Sequence, residues 1–154
     1  MPGSASPADV ERALWALKAY DTLALGTVSA AGPHVAGVFF APEAHGGGVR
    51  LVLALLRDSR KHRELVADPR VAFMCSPGKP TRWIQGSGVA AGVDDAAEGA
   101  LLLRRLVEHA PGASAFVDRL PVVPVTVAVQ TLKVVEDLGR PPLLVELGPS
   151  REAA

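Results

Sequence analysis

Val10, Ala13, Leu14 and Leu17 recur at i, i+3, i+4 and i+7, the spacing of one apolar helix face. Ser6-Pro7 precedes them, with Pro at the first helical position, where a missing N–H costs nothing. Trp15 falls off that stripe and is left for a second contact. From Thr22 the period drops to two. Leu23, Leu25 and Thr27 share one strand face, and Ala24, Gly26 and Val28 share the other. A turn at Ala30-Ala-Gly-Pro33 and a returning strand from Val35 to Ala41 make a hairpin. Pro42 to Gly48 reads as a loop, and Val49 to Leu56 as an almost continuous apolar strand.

A short helix is predicted from Ser59 to Ala67, ended by Asp68-Pro69, and then a strand from Val71 to Cys75. Arg82 to Val93 reads as a long strand interrupted by Gly86 and Gly88. Asp95 to Glu108 carries Ala96, Ala100, Leu103 and Val107 at helical spacing, followed by a Pro-Gly break and a further turn. Val123, Val125, Val127 and Val129 then face one way, against Thr126, Ala128 and Gln130. Leu143 to Leu147 reads as a last strand.

Six or seven strands joined mostly by short turns, with two or three inserted helices, lack the strict β/α alternation of a parallel sheet. The expected class is mainly β with inserted helices, as a split antiparallel β-barrel. One domain over residues 8–147 is expected, between a flexible N-terminus at 1–7 and a flexible tail at 148–154.

The composition is that of a globular protein, with 49% hydrophobic and 21% charged residues. Sixteen Lys and Arg balance sixteen Asp and Glu, so no nucleic-acid partner is expected. No apolar stretch reaches the ~20 residues that span a bilayer. No signal-peptide pattern is present, and the expected compartment is the cytoplasm. Cys75, the lone cysteine, lies in an apolar run and reads as a buried filler.

Against this neutral background, Arg57-Asp-Ser-Arg-Lys-His-Arg63 concentrates Arg57, Arg60, Lys61 and Arg63 within one short segment. Asp58 or Ser59 is a good N-cap, which puts Arg60 and Lys61 in the first helical turn. That end of a helix is already positive and favours anions. Unpaired N–H groups, the Ser59 hydroxyl and two cations together suit a phosphate. A solvated basic face is the other reading of the same residues.

The order hairpin, apolar strand, Ser-Arg-Lys, short helix and Asp-Pro-Arg-Val strand resembles the pyridoxamine 5′-phosphate oxidase-like FMN-binding split barrels. The resemblance rests on Thr22-Leu-Ala-Leu-Gly-Thr-Val-Ser29, Gly32-Pro-His34, Leu51 to Leu56, Ser59-Arg-Lys61, Asp68-Pro-Arg-Val71 and Gly88-Val-Ala90. It covers about residues 8 to 93. His109-Ala-Pro-Gly-Ala113 and Phe116 to Leu120 further resemble the haem-utilisation-related subgroup. The resemblance implies that Arg60 and Lys61, with Ser59 beside them, hold the phosphate of FMN. It implies that the backbone of Gly37, Val38 and Phe39 lies along the flavin ring, with Trp83 and its neighbour Arg82 nearby. It also implies a homodimer with the site at the subunit interface. Where the oxidases carry Arg, Lys and Thr, this chain has Ala36, Ala41 and Leu55. Those losses argue against vitamin B6 as substrate.

Gly86-Ser-Gly-Val-Ala-Ala-Gly92 lacks the βαβ context of a dinucleotide loop, so its glycines are assigned to strand bending. His34, His45, His62 and His109 show no shared metal-ligand spacing, no metal site is expected, and each reads as a surface or turn residue. No catalytic residue is singled out. Three functions stay open: an FMN-dependent oxidoreductase acting on a small molecule, a haem-binding or haem-degrading relative, and a non-catalytic barrel. Deazaflavin is an alternative to FMN, because its phosphate could meet the same cations.

Overall fold

The computed structural model describes residues 5–147. Helix α1 (Pro7–Leu17) is followed by β1 (Thr22–Ser29), β2 (Gly32–His45), β3 (Gly48–Leu56) and α2 (Arg60–Ala67). Then come β4 (Arg70–Cys75), β5 (Trp83–Gly92), α3 (Ala96–His109) and a single 3-10 turn at Pro111–Ala113. The short α4 (Ser114–Arg119), β6 (Val122–Val135) and β7 (Leu143–Glu146) complete the described chain. All strand pairings are antiparallel.

The order β3-β2-β1-β4-β5-β6-β7, with a further β3–β6 pairing, closes the first six strands into a barrel. Two long strands change partner along their length. On one side β6 meets β3 through residues 122–128 and β7 through residues 131–134. The strand β2 pairs with β1 over residues 32–39, but with β3 only over residues 40–45. Over residues 32–39 the second edge of β2 therefore carries no strand among the described residues. This is the split in the barrel, and it leaves backbone donors and acceptors open.

The barrel interior collects Leu23, Leu25, Phe40, Leu51, Leu53 and Leu55, and Val10, Ala13 and Leu17 of α1 join the same core. A second core lies outside β3, where Ala41, Val52 and Ala54 meet Leu102 and Leu106 of α3. Val52 to Leu55 are thus buried on both faces of β3, which accounts for its continuous apolar run within one chain. Because α3 covers its outer face within the chain, that run gives no argument for a subunit interface.

Three other expectations need correction. Residues 42–45 are strand, not loop, and the turn narrows to Gly46 and Gly47, both with positive φ. Pro42 is tolerated because β1 has already ended, so one side of β2 is an edge there. The buried face of α3 is Gly99, Leu102 and Leu106, while Ala96 and Ala100 are exposed. Asp95 caps that helix through the Glu98 N–H at 2.8 Å. Among the described residues the helices number four rather than two or three, because the turn after Pro111 continues into α4.

Gly86 and Gly88 act as expected. A Cβ on Gly86 would lie 2.5 Å from the Thr131 carbonyl oxygen and 2.6 Å from Phe73 Cζ. One on Gly88 would strike the Ala128 carbonyl and lie 2.8 Å from Val127 Cγ1. The register between β5 and β6 shifts between Ser87 and Gly88, so the strand bends where side chains are excluded.

Candidate functional site

The turn into α2 is fixed by the helix it starts. Asp58 sits in the left-handed region, with φ 59°. Its N–H donates to His62 Nδ1 at 3.0 Å, and its carbonyl accepts from Arg63 at 2.9 Å. Ser59 is the N-cap, accepting from the His62 N–H at 3.4 Å. The N–H groups of Arg60 and Lys61 find no acceptor among the described residues.

Arg60 is not an isolated cation. Its Nε donates to Glu64 Oε1 at 2.9 Å, one turn along α2, and a terminal nitrogen donates to His34 Nε2 on β2. An arginine always donates, so Nε2 accepts and the ring proton is assigned to Nδ1. Nδ1 lies 2.8 Å from Glu64 Oε1, near in charge but out of line for a hydrogen bond. The other carboxylate oxygen of Glu64 accepts from the Thr27 hydroxyl at 2.6 Å. That bond is the main force holding the Glu64 carboxyl below its ordinary value. Burial pulls the other way, and Arg60 and His34 add to the lowering.

Lys61 contrasts with its neighbour. It is half-buried, and no hydrogen bond or ion pair joins it to any described residue. Lys61 and two unpaired N–H groups therefore share the first turn of α2 with no anion of their own among the described residues.

Gly37, Val38 and Phe39 lie on β2 beside its open edge. With Thr22, Ala24 and Met74 they line an open cleft of about 510 Å³, within the usual range for small-molecule sites. A Cβ on Gly37 would meet nothing within 4 Å, so the backbone is bare to the cleft. The Arg60–His34 contact ties the start of α2 to the same strand, three residues away.

Neither Arg82 nor Trp83 lines this cleft within one chain. The Trp83 indole donates to Gln85 at 2.7 Å, and Gln85 is paired with Met74 at the edge of the cleft. Arg82 lines a separate groove with Lys79, Glu136 and Asp137.

Thr27, His34 and Glu64 escape a reading of sequence alone. Arg60 and Glu64 do carry a local signal, an i,i+4 pair of opposite charge. Thr27 and His34 face Glu64 only after β1, β2 and α2 assemble. Of the other histidines, His109 makes a 2.7 Å contact with the Tyr20 carbonyl and an edge contact with Phe40. No metal-competent cluster occurs among the described residues. Cys75 is buried, and burial pushes its thiol up to about 12, which rules out a ready nucleophile.

The six-strand closure with one long strand left unpaired along part of its edge defines the split-barrel class of folds. Residues 11–135 match the pyridoxamine 5′-phosphate oxidase family model, and the chain belongs to that family. No curated protein matches the sequence. Among solved structures, the chain is similar to a NimC/NimA family protein from Clostridium acetobutylicum, at 18% identity and TM-score 0.68, covering 92% of this chain and 94% of that one. It is similar to a haem-binding protein from Mycobacterium smegmatis, at 20% identity and TM-score 0.65, covering 95% of this chain. The match spans only 59% of that longer protein. HutZ, the haem storage protein of Vibrio cholerae, is similar at 20% identity and TM-score 0.61, covering 81% and 94%. These likenesses establish the fold. No helix among the described residues is long and apolar enough to cross a membrane.

Proposed function

We propose that this chain binds FMN, with its phosphate at the start of α2 and its ring along the open edge of β2, and acts as an oxidoreductase on a small molecule. The observation that carries the reading is Lys61, a half-buried residue whose ammonium has no hydrogen-bond or ion-pair partner among the described residues, beside two unpaired N–H groups. FMN, when bound, supplies hydride and electron transfer, and the protein supplies position and electrostatics. Ser59 fixes the helix start, Arg60 and Lys61 meet the phosphate, and the backbone of Gly37, Val38 and Phe39 borders the ring. Deazaflavin offers the same phosphate chemistry.

The site as proposed is completed by a second copy. The outer face of β1, β2 and β4 leaves Val28, Val35 and Met74 exposed around small residues such as Gly26 and Ala24. A twofold partner on that face would cover them and could deliver its Arg82 and Trp83 toward the cleft. Vitamin B6 is not the proposed substrate. Ala41 and Leu55 are buried in apolar cores, and Ala36 brings no charge. A lone buried thiol suits the reducing cytoplasm, the compartment we propose.

Haem is the second reading, favoured by the fold shared with two haem proteins. Titrating the purified protein with FMN, and separately with haemin, decides between them. Quenching of flavin fluorescence with saturation at one FMN per chain supports the proposal. A Soret band with no response to FMN overturns it in favour of haem.

A further inference from the structure

We propose that His34 is a third phosphate ligand, one that takes up a proton as the anion binds; this rests on the flavin-phosphate reading above. His34 lies between opposite charges, with Nε2 against the Arg60 guanidinium and Nδ1 at 2.8 Å from Glu64. Those are the charged groups in contact with it among the described residues, and both belong to α2. From β1, Thr27 is uncharged and bonds to Glu64.

The charge balance motivates a change of role. Arg60 and Lys61 bring two positive charges to the helix start, and Glu64 removes one of them. A phosphate monoester brings nearly two negative charges at neutral pH. One more positive charge at the site restores the balance. Histidine is the side chain that can supply it near neutral pH. Its ring is partly open to solvent, with 26% of the side chain exposed, so a proton can reach it.

In the free protein Nε2 accepts from Arg60. On binding, one proton passes from solvent to Nε2, the hydrogen bond from Arg60 is given up, and no other covalent bond is made or broken. The new N–H can then donate to a phosphate oxygen, while Glu64 faces Nδ1–H and stabilises the imidazolium. Arg60 loses its acceptor and is free to turn to the same anion. Glu64 serves as the positioning residue for both cations, held in place by Thr27.

Calorimetric titration of the full chain with FMN at pH 7.5, in buffers of different ionisation enthalpy, counts the protons exchanged. At that pH the FMN phosphate is already almost fully ionised. About one proton per FMN is expected for the wild type, and none with riboflavin. His34→Asn should abolish the uptake and weaken FMN about tenfold, the loss of one charge-assisted contact. His34→Gln, checked with it for an unchanged thermal midpoint, guards against a folding defect. Equal proton uptake in wild type and both variants would overturn the role of His34 while leaving the phosphate site standing. Failure of the wild type to bind FMN overturns both.

Discussion

Arg60 and Glu64, one turn apart on α2, are joined by a 2.9 Å hydrogen bond from Nε to Oε1, so the helix carries a counter-ion for its own first-turn cation. Read along the chain, Arg60 and Lys61 look equally misplaced at the positive end of a helix. In the fold they are unequal. Arg60 is neutralised from within, Lys61 has no counter-ion among the described residues, and the demand for an external anion concentrates on Lys61.

Thr27 anchors this arrangement from β1, and its removal should be felt in stability. Thr27→Val keeps the shape and takes away the 2.6 Å donor to Glu64. Losing a buried hydrogen bond to a group left unsatisfied costs about 1–3 kcal/mol. Urea unfolding should show a lower midpoint with an unchanged slope. A midpoint equal to that of the wild type would mean that Thr27 does not hold the carboxylate.

Acid should destabilise the protein over a defined range. Glu64 is depressed below 4.5, chiefly by Thr27. Asp68 is depressed from 3.8 to about 2, chiefly by its bond to the Arg70 side chain. A carboxyl lowered on folding adds stability that is complete above its unfolded value and is lost as pH falls through the folded one. The thermal midpoint should be nearly flat from neutrality to about pH 5 and then decline toward about pH 2. In Thr27→Val the decline should begin at higher pH, because Glu64 has lost its main support. An identical profile in the two proteins would contradict that assignment.

The glycines of β5 should separate by position. Gly86→Ala and Gly88→Ala each drive a Cβ into the backbone of β6. Overpacking of this kind costs about 1–3 kcal/mol, and more where backbone must move. Gly92→Ala, with nothing within 4 Å of the added carbon, should stay within about 0.5 kcal/mol of the wild type. Denaturant midpoints for the three variants test this ordering. Equal tolerance at all three sites would remove the account of the bend.

The exposed face of β1, β2 and β4 makes assembly testable. Val35 is 75% exposed on β2, opposite Gly26 and on the same face as Val28 and Met74. Val35→Arg should turn a dimer into a monomer by light scattering at micromolar concentration, with the thermal midpoint of the chain nearly unchanged. A wild type that is already monomeric would contradict the twofold partner.

Much of the barrel was legible because period-two alternation and turn residues report strand faces directly. The alternation from Val123 to Val129 gives the core face of β6 at Val125, Val127 and Val129, although Thr126 on the opposite face is buried as well. The apolar run in β3 was legible as a strand but not as to its partner, since periodicity cannot say whether a helix or a second subunit covers the outer face. Here α3 does. The helix start at Ser59 was readable from capping chemistry. The Thr27–Glu64–His34 contacts were not, because they join three elements across 37 residues and no local pattern encodes them. Arg82 and Trp83 come from family resemblance alone, and within one chain neither lines the cleft.

The most direct test of the phosphate site is the affinity of Lys61→Ala for FMN, measured beside riboflavin as the phosphate-free control. A charge-assisted contact to a desolvated anion contributes about 1.5–3 kcal/mol, or roughly tenfold to over a hundredfold in affinity. FMN should weaken by that factor in the variant, riboflavin should be unaffected, and fold stability should hold or rise slightly as a cation leaves the positive end of α2. Equal FMN affinity in wild type and Lys61→Ala would leave the cluster a solvated basic face and contradict the site.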